Sequence, residues 1–360
     1  MKGRQADVEL RGTTGLEQRI TAAVESLHGK LVAGDQSGFG ISEYSARYLG
    51  ESLGQGTNVL QIFGRILAIA LENQPASLSD TGVIDFGGGN GLLSLLAREV
   101  GVGTVIFNDI YDVSCTDAGR LGAALELEAD QYVQGDLGEL ISVVRGTPMP
   151  YTVVCSYDVI EHVYDVDAML ANLLRFADGP LTVVMASSAN GLNPRRRSRL
   201  VRFQREIENL DRVDVKGHNQ RDSLRAYRSL RAAMIRDRAP SLGDDQVDDL
   251  ARLTRGLAGK DLEVAVDQYL STGVLPKELE DSTNTCDPTT GNWAEHLMDP
   301  WLLAQKLGGL GLTSHVGAGY YGRYRGPKGI AARALNVAIR LGGRLGLRLA
   351  PYYILVGRRP

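Results

Sequence analysis

The residues best placed to do chemistry form one short run, Asp85-Phe86-Gly87-Gly88-Gly89-Asn90-Gly91. It follows an apolar run, Gly82-Val83-Ile84, and opens an apolar helical pattern, Leu92-Leu93-Ser94-Leu95-Leu96-Ala97. Strand, glycine loop, helix is the setting in which a loop binds a nucleotide-like ligand. Glycine tolerates positive φ and lets the backbone approach a ligand closely. The helix N-terminus adds N–H groups without intrahelical partners. A dinucleotide fold wants G-x-G-x-x-G; Gly87 and Gly89 fit, but the third position is Leu92. The pattern is instead D-x-G-x-G-x-G, with the acid two residues before the first glycine. The competing reading is a tight turn without a ligand.

Asp109 lies beyond the loop at about the interval at which an acid reads ribose hydroxyls in such folds. A carboxylate can accept hydrogen bonds from both hydroxyls of a vicinal diol. Taken alone, Asp109 reads equally well as a helix or turn cap. A second acid, Asp136, closes Gln134-Gly135-Asp136. No Ser-His-Asp or Cys-His pattern recommends a covalent mechanism. No His/Asp/Glu cluster has metal spacing, so no metal is expected.

The elements that must position these residues alternate. Strands are expected at 83–86, 104–107, 132–133, 151–155 and 181–185, with helical patterns between them, for example Met169, Leu170, Leu173 and Leu174. This alternation predicts an α/β fold, a doubly wound, mainly parallel sheet with helices on both faces. Ligands bind such sheets beyond the carboxyl ends of the strands. Those ends carry Gly87, Asp109, Asp136 and Tyr157-Asp158. Residues 1–80 read as an N-terminal helical arm, with Leu16, Ile20, Val24 and Leu27 at helical spacing. Residues 191–299 read as a helix-rich insertion, basic in its first half and acidic in its second. Ser241 is expected to open a helix carrying Val247, Leu250 and Leu257. Sheet-type elements return with a helix at 301–307 and strands at 313–320 and 352–356. The core is therefore 81–190 with 300–360, and the insertion is expected to lie over the ligand end of the sheet as a substrate cap.

At the loop the chain resembles the class I S-adenosylmethionine-dependent methyltransferases. Ser156-Tyr157-Asp158-Val159-Ile160-Glu161-His162-Val163 resembles the D-V-I-E-H-V signature of relatives of the ubiquinone-pathway O-methyltransferases. The likeness is specific over 83–190, looser over 293–319 and absent over most of the insertion. The ending Ala350-Pro351-Tyr352-Tyr353-Ile354-Leu355-Val356-Gly357 is similar to that of methyltransferases from bacterial glycan and lipid-linked pathways. The resemblance implies a Rossmann-like core of seven strands and S-adenosyl-L-methionine as cofactor. It implies a loop site of Asp85, Gly87, Gly89 and Gly91, with Asp109 on the ribose and Asp136 at the adenine amino group beside Leu137. Tyr157 and its neighbours would line the methionine end and the acceptor. In this superfamily the helix before the loop often closes over the cofactor. That puts Tyr48, with Tyr44 and Arg47, where an aromatic ring gains cation–π attraction from a sulfonium. A half-buried amphipathic helix face is the alternative for them.

Methyl transfer from a sulfonium is an in-line displacement, in which alignment supplies most of the acceleration. A base matters only where the acceptor keeps its proton, as a hydroxyl does. Of the five histidines, His28 and His315 read as structural. His162, after Glu161, reads either as base or as structural. His296, in Asn292-Trp293-Ala294-Glu295-His296, reads as facing the acceptor. His218 sits in the insertion beside Asn219 and Arg221.

The 360-residue chain is 43% hydrophobic and carries a net charge of −4, which does not suit a protein built around a polyanion. The expected acceptor is a hydroxyl on a small molecule, a sugar or a lipid-linked intermediate. The rivals are a nucleic-acid methyltransferase gripping phosphates with the basic insertion, and a non-catalytic cofactor-binding partner. Arg195, Arg199 and Arg202 share a helix face and are expected to pair with the acidic half of the insertion, or else to meet an anionic substrate. Arg333, Arg340, Arg344 and Arg348 align opposite Val337, Leu341 and Leu345, a basic amphipathic pattern that either packs on the sheet or lies on an anionic membrane through 328–349. Three scattered cysteines and no long apolar segment lead to the expectation of a cytoplasmic protein with peripheral membrane contact at most.

Overall fold

The computed structural model describes residues 14–34, 36–72, 77–213, 223–279, 284–324 and 326–360. The strands are β1 Thr81–Phe86, β2 Thr104–Asp109, β3 Gln131–Gln134, β4 Tyr151–Tyr157, β5 Leu181–Ser187, β6 Thr313–Ala318 and β7 Tyr353–Arg359. They form one sheet in the order β3-β2-β1-β4-β5-β7-β6. β1 runs parallel to β2 and to β4, and β2 runs parallel to β3. The order reverses direction between β1 and β4, which is the switch point at which such sheets bind ligands. β1, β4 and β5 are buried almost end to end, as strands covered on both faces must be. Every expected strand is present, and this is the Rossmann-like fold expected from the alternation.

The chain divides into two compact units. The first comprises Met1–Ser156, Arg175–Val184 and Arg358–Pro360. Its helices are α1 Thr14–Ala33, α2 Glu43–Gly54, α3 Asn58–Leu71, α4 Leu92–Val100, α5 Asp112–Leu125 and α6 Leu137–Gly146. Ile20, Val24, Leu27 and Leu31 make the buried stripe of α1, one turn longer than the sequence pattern suggests. Lys30 and Ser26 of α1 reach Glu99 of α4 at 2.7 and 2.6 Å, which ties the arm to the helix that follows the glycine loop.

The second unit comprises Tyr157–Leu174 and Met185–Gly357. Its helices are α7 Val166–Leu173, α8 Pro194–Asn209, α9 Tyr227–Arg238, α10 Asp244–Leu253, α11 Gly259–Thr272, α12 Pro300–Gly309 and α13 Gly326–Leu341. Ile235, Val247, Leu250, Leu262 and Val266 give the insertion a small core of its own. Two expectations need correction here. Ser241 does not start α10: Gly243 caps it, with Gln246 Oε1 accepting the Gly243 N–H at 3.0 Å, and Leu257 falls beyond its end. The basic half of the insertion does pair with the acidic half, but not through α8. α9 supplies the pairing, through Arg228–Asp248, Arg236–Asp244 and Arg238–Asp267 at 2.6–2.8 Å, while Arg195, Arg199 and Arg202 on α8 have no ion pair among the described residues.

One guanidinium lies inside this unit. Arg231 is fully buried, pairs with Glu208 of α8 and donates Nε–H to the carbonyl of Ala251 on α10 at 3.0 Å. Glu208 also accepts from the hydroxyl of Thr285. Three helices and the loop before Asp287 thus meet at one buried charge pair.

The C-terminal basic pattern also differs from expectation. Gly342-Gly343 ends α13, and Arg344, Leu345 and Arg348 belong to the following 3-10 turn, Gly343–Arg348. Along α13 itself Arg333 and Arg340 flank the exposed apolar stripe rather than oppose it. The face opposite that stripe is the buried one, Ala332 and Ile339. His218 lies outside the described residues.

Candidate active site

β1 delivers the chain into a loop held open by left-handed glycines. Gly87, Gly89 and Gly91 have φ of 66°, 57° and 78°, and Gly91 caps α4 without a side chain. A Cβ on Gly88 would lie 2.5 Å from the Phe107 ring and 2.7 Å from Asp85, so packing demands glycine there. A Cβ on Gly89 would meet nothing within 4 Å, so the apex faces open space. Asp85 works from beneath. It is 2% exposed, and Oδ2 accepts from the Ser94 N–H at 3.0 Å and from the Ser94 hydroxyl at 2.7 Å. Burial pushes its carboxyl up to about 7, against the pull of the Ser94 hydrogen bonds.

Asp109 ends β2 and pins the apex from the side. Oδ2 accepts from the Gly89 N–H and Oδ1 from the Tyr111 N–H, each at 2.9 Å. Burial raises its carboxyl, while these backbone bonds pull it down. Each carboxylate oxygen accepts more than one hydrogen bond, so acceptor capacity remains. Asp136 is exposed and caps α6: Oδ1 accepts from the Gly138 N–H at 2.6 Å, and Glu139 Oε2 accepts from the Asp136 N–H at 3.0 Å. Hydrogen bonding with Glu139 and Gly138 holds its carboxyl below the usual range. Leu137 follows, half-buried, as the first residue of α6.

On α2, Tyr48 is exposed. It packs edge-on against Tyr44 with ring centroids 5.0 Å apart, and the Arg47 guanidinium sits 4.4 Å from its ring centre. α2 is anchored by buried Asp117 of α5, which accepts from the Ser42 N–H at 3.1 Å and from the Ser42 hydroxyl. Sequence reasoning did not single out Asp117.

The second unit gathers a different set of groups after β4. Tyr157 is half-buried against Tyr352, with centroids 6.0 Å apart. Asp158 is left-handed, with φ of 55°, and is clamped there: its N–H donates to Ala186 at 2.9 Å, and its Oδ1 accepts the Ser188 N–H at 2.6 Å. The 3-10 turn Ile160–His162 then buries Glu161 completely. Neither Glu161 oxygen has a hydrogen-bond partner among the described residues. Burial first, then the charges of Asp158 and Glu295, push its carboxyl well above the ordinary range. Burial thus favours the neutral form of Glu161, which can donate a hydrogen bond.

Residues 293–296 dock on this turn through the backbone. Trp293 N–H donates to the His162 carbonyl at 3.2 Å, and His296 N–H donates to the Glu161 carbonyl at 3.0 Å. Gln204 of α8 holds the strap from outside, donating to the Glu295 carbonyl at 2.7 Å and to Asn284 at 3.1 Å. His162 Nδ1 lies 2.8 Å from the Trp293 carbonyl. A carbonyl can only accept, so Nδ1 carries the proton and Nε2 keeps its lone pair. Trp293 is stacked on Tyr164 and lies 4.3 Å, centroid to centroid, from the His296 ring. Glu295 has φ of 60°; burial raises its carboxyl, while His162, Arg196 and Arg199 draw it down. His28 lies on α1 and His315 on β6.

The structure thus brings His162 and His296 together near Asp158, which the sequence placed at a strand end, and adds two groups that sequence reasoning passed over, Glu161 and Glu295. A signal was present. Each histidine follows a glutamate directly, Glu161-His162 and Glu295-His296.

Residues 60–232 match the family model of a methyltransferase domain. No curated protein matches the chain. Among solved structures the chain is similar to a SAM-dependent methyltransferase from Archaeoglobus fulgidus, at 14% identity and a TM-score of 0.38 over 87% of this chain and 99% of that one. It is similar to an S-adenosylmethionine-dependent methyltransferase from Mesorhizobium loti, at 14% identity and a TM-score of 0.35 over 85% and 99%. An O-methyltransferase family protein from Burkholderia thailandensis aligns at 11% identity and a TM-score of 0.37 over 87% and 60%. The chain spans 38% of a Streptococcus mutans protein that it also matches. The matched residues 60–232 take in the glycine loop, Asp109, Asp136 and the turn after β4.

Proposed function

We infer that this enzyme methylates a hydroxyl oxygen on a small-molecule, sugar or lipid-linked acceptor. Its methyl donor is S-adenosylmethionine. When bound, that cofactor supplies a methyl group already activated for displacement. The loop suits such a ligand: open space lies before Gly89, the N-terminus of α4 is capped by glycine alone, and Asp109 retains acceptor capacity at the apex. Gly87, Gly89 and Gly91 would hold it through the backbone, with Asp109 on the ribose diol and Asp136 and Leu137 at the adenine. Tyr157 and Tyr48 would contribute aromatic contact.

The observation that carries the choice of a hydroxyl acceptor is the fixed tautomer of His162. The Trp293 carbonyl holds Nδ1–H, so Nε2 is the nitrogen left to take a proton. Glu161, with its neutral form favoured by burial and with no hydrogen-bond partner among the described residues, donates a hydrogen bond and orients the acceptor oxygen. His296, its ring tilted against that of Trp293, supplies a wall and a second orienting nitrogen. The insertion selects the acceptor, with Arg196 and Arg199 of α8 acting on its anionic groups through the same field that lowers Glu295. The test is methyl transfer to phenols, glycosides and polyprenyl-linked sugars, read by mass spectrometry, with its pH profile. A general base fails once protonated, so turnover should fall at low pH, and His162→Ala should flatten that limb. A pH-independent rate on an ionisable hydroxyl would remove the base role.

A nucleic-acid acceptor is the second reading, favoured by Arg195, Arg199 and Arg202, which have no ion pair among the described residues. It predicts affinity for RNA or DNA that falls steeply with salt.

A further inference from the structure

The chain carries no acidic residue after Asp299. Residues 300–360 contain ten lysines and arginines and no aspartate or glutamate, within a protein whose net charge is −4. Five of the ten, Lys328, Arg333, Arg340, Arg344 and Arg348, fall on α13 and the 3-10 turn after it.

Most of the large apolar residues of this segment do not face inward. Only Gly329, Ala332 and Ile339 of α13 are buried. Ile330, Ala334, Val337 and Leu341 follow one another at i, i+4, i+7 and i+11, so they share one face. Ile330 is 63% exposed, Leu341 80%, and Leu345, in the turn that continues the stripe, 68%. Arg333 and Arg340 border the stripe on α13, and Arg344 and Arg348 continue the border through the turn. Arg344 is steadied by the ring of Trp301, 4.3 Å away, and Lys328 lies 4.4 Å from the ring centre of Tyr324. This is a helix with two apolar sides: a narrow one packed on its own unit, and a wide one outside, edged by cations. Among the described residues no helix is long and apolar enough to cross a membrane.

We propose that α13 and the Gly343–Arg348 turn dock this enzyme on an anionic lipid bilayer, lying in the plane of the interface. Leu341, Ile330 and Leu345 enter the acyl boundary, and the flanking arginines meet lipid phosphates. Charge decides for this occupant over a second copy of the chain. A two-fold contact on the same face would set Arg333, Arg340, Arg344 and Arg348 against their own copies with no carboxylate on the segment to offset them. The proposal does not depend on the identity of the methyl acceptor.

The test is co-sedimentation of the full chain with vesicles of phosphatidylcholine alone or with about a third phosphatidylglycerol, at salt from low to about 0.15 M. Two paired variants are compared, Ile330→Asp with Leu341→Asp, and Arg333→Glu with Arg340→Glu; all four positions are exposed, and circular dichroism checks the fold. Binding should be strong only with phosphatidylglycerol and weaken as salt rises, and each paired variant should bind at least about tenfold more weakly. Failure of the native chain to bind anionic vesicles, equal binding to neutral ones, or paired variants that bind like the native chain would each overturn the proposal. So would a native dimer that the aspartate pair splits in a chain that ignores vesicles.

Discussion

Replacing Asp85 by asparagine should change the pH dependence of stability more than it changes cofactor affinity. Asp85 is buried under the glycine loop, and both hydrogen bonds to it come from Ser94. Its carboxyl is raised from the ordinary value of 3.8 to about 7. A folded state that holds the proton more tightly than the unfolded chain is favoured at low pH. Stability from this group is therefore fully present below about pH 4 and is lost as pH rises toward 7. Each tenfold gain in proton affinity on folding is worth about 1.4 kcal/mol, so the ceiling for the loss is about 4 kcal/mol. The asparagine amide would keep an oxygen for both Ser94 donors and could not ionise. The variant should be more stable than the native chain at pH 8, by about 1–4 kcal/mol, and close to it at about pH 4. Urea unfolding at the two pH values measures the difference, which cancels other titrating groups. Both tryptophans, Trp293 and Trp301, belong to the other unit, so far-UV circular dichroism is the suitable signal. An unchanged pH slope in the variant would refute the reasoning. A large loss of cofactor affinity with no change in slope would place Asp85 at the ligand instead of beneath the loop.

Asp109→Ala removes the acceptor for two backbone N–H groups, Gly89 and Tyr111, along with the proposed ribose contact. Calorimetry with S-adenosylhomocysteine should show affinity weaker by about 1–3 kcal/mol, and native affinity in the variant would exclude Asp109 from the cofactor site. In the insertion, Arg231→Ala should destabilise the second unit by about 3–5 kcal/mol, because Glu208 would keep a buried charge without its main partner. Tryptophan fluorescence follows that unfolding; the double variant Arg231→Met with Glu208→Gln should recover much of the loss, and failure to recover would mean that the salt bridge is not the source.

The cofactor half was legible because its determinants are local. Asp85, Gly87, Gly89 and Gly91 lie in one run, and the strands on either side of β1 are short apolar runs read directly from the chain. What the sequence blurred there was the division of labour. The acid of the D-x-G-x-G-x-G pattern serves Ser94 beneath the loop, and Asp136 is occupied as a helix cap as well as standing at a strand end. A carboxylate at such a position satisfies a backbone donor whether or not a ligand is present, so residue type alone does not separate the two uses. Ser241 misled in the same way: the serine spacing looked like a cap, but Gly243 with Gln246 closes the helix a little further on.

Of the proposed acceptor cluster the sequence offered only the histidines, because the cluster joins residues far apart in the chain. His162 gains a defined tautomer from the carbonyl of Trp293, and Glu161 is sealed by a turn whose carbonyls pair with the N–H groups of Trp293 and His296. That pairing requires the strap at 293–296 to bend sharply, and Glu295 does so at positive φ without being glycine. Asp158 does the same at the other end of the cluster. Both residues accept a backbone conformation that L side chains disfavour, and both are clamped by hydrogen bonds, Asp158 through Ser188 and Ala186, and Glu295 through Gln204. Strain held in this way lies next to a buried acid with no hydrogen-bond partner among the described residues and a histidine whose Nδ1 is held by a carbonyl, the setting on which the proposed acceptor site rests. A pattern search that weighs each histidine alone therefore finds the ring nitrogens and misses the carboxyl groups that set their surroundings.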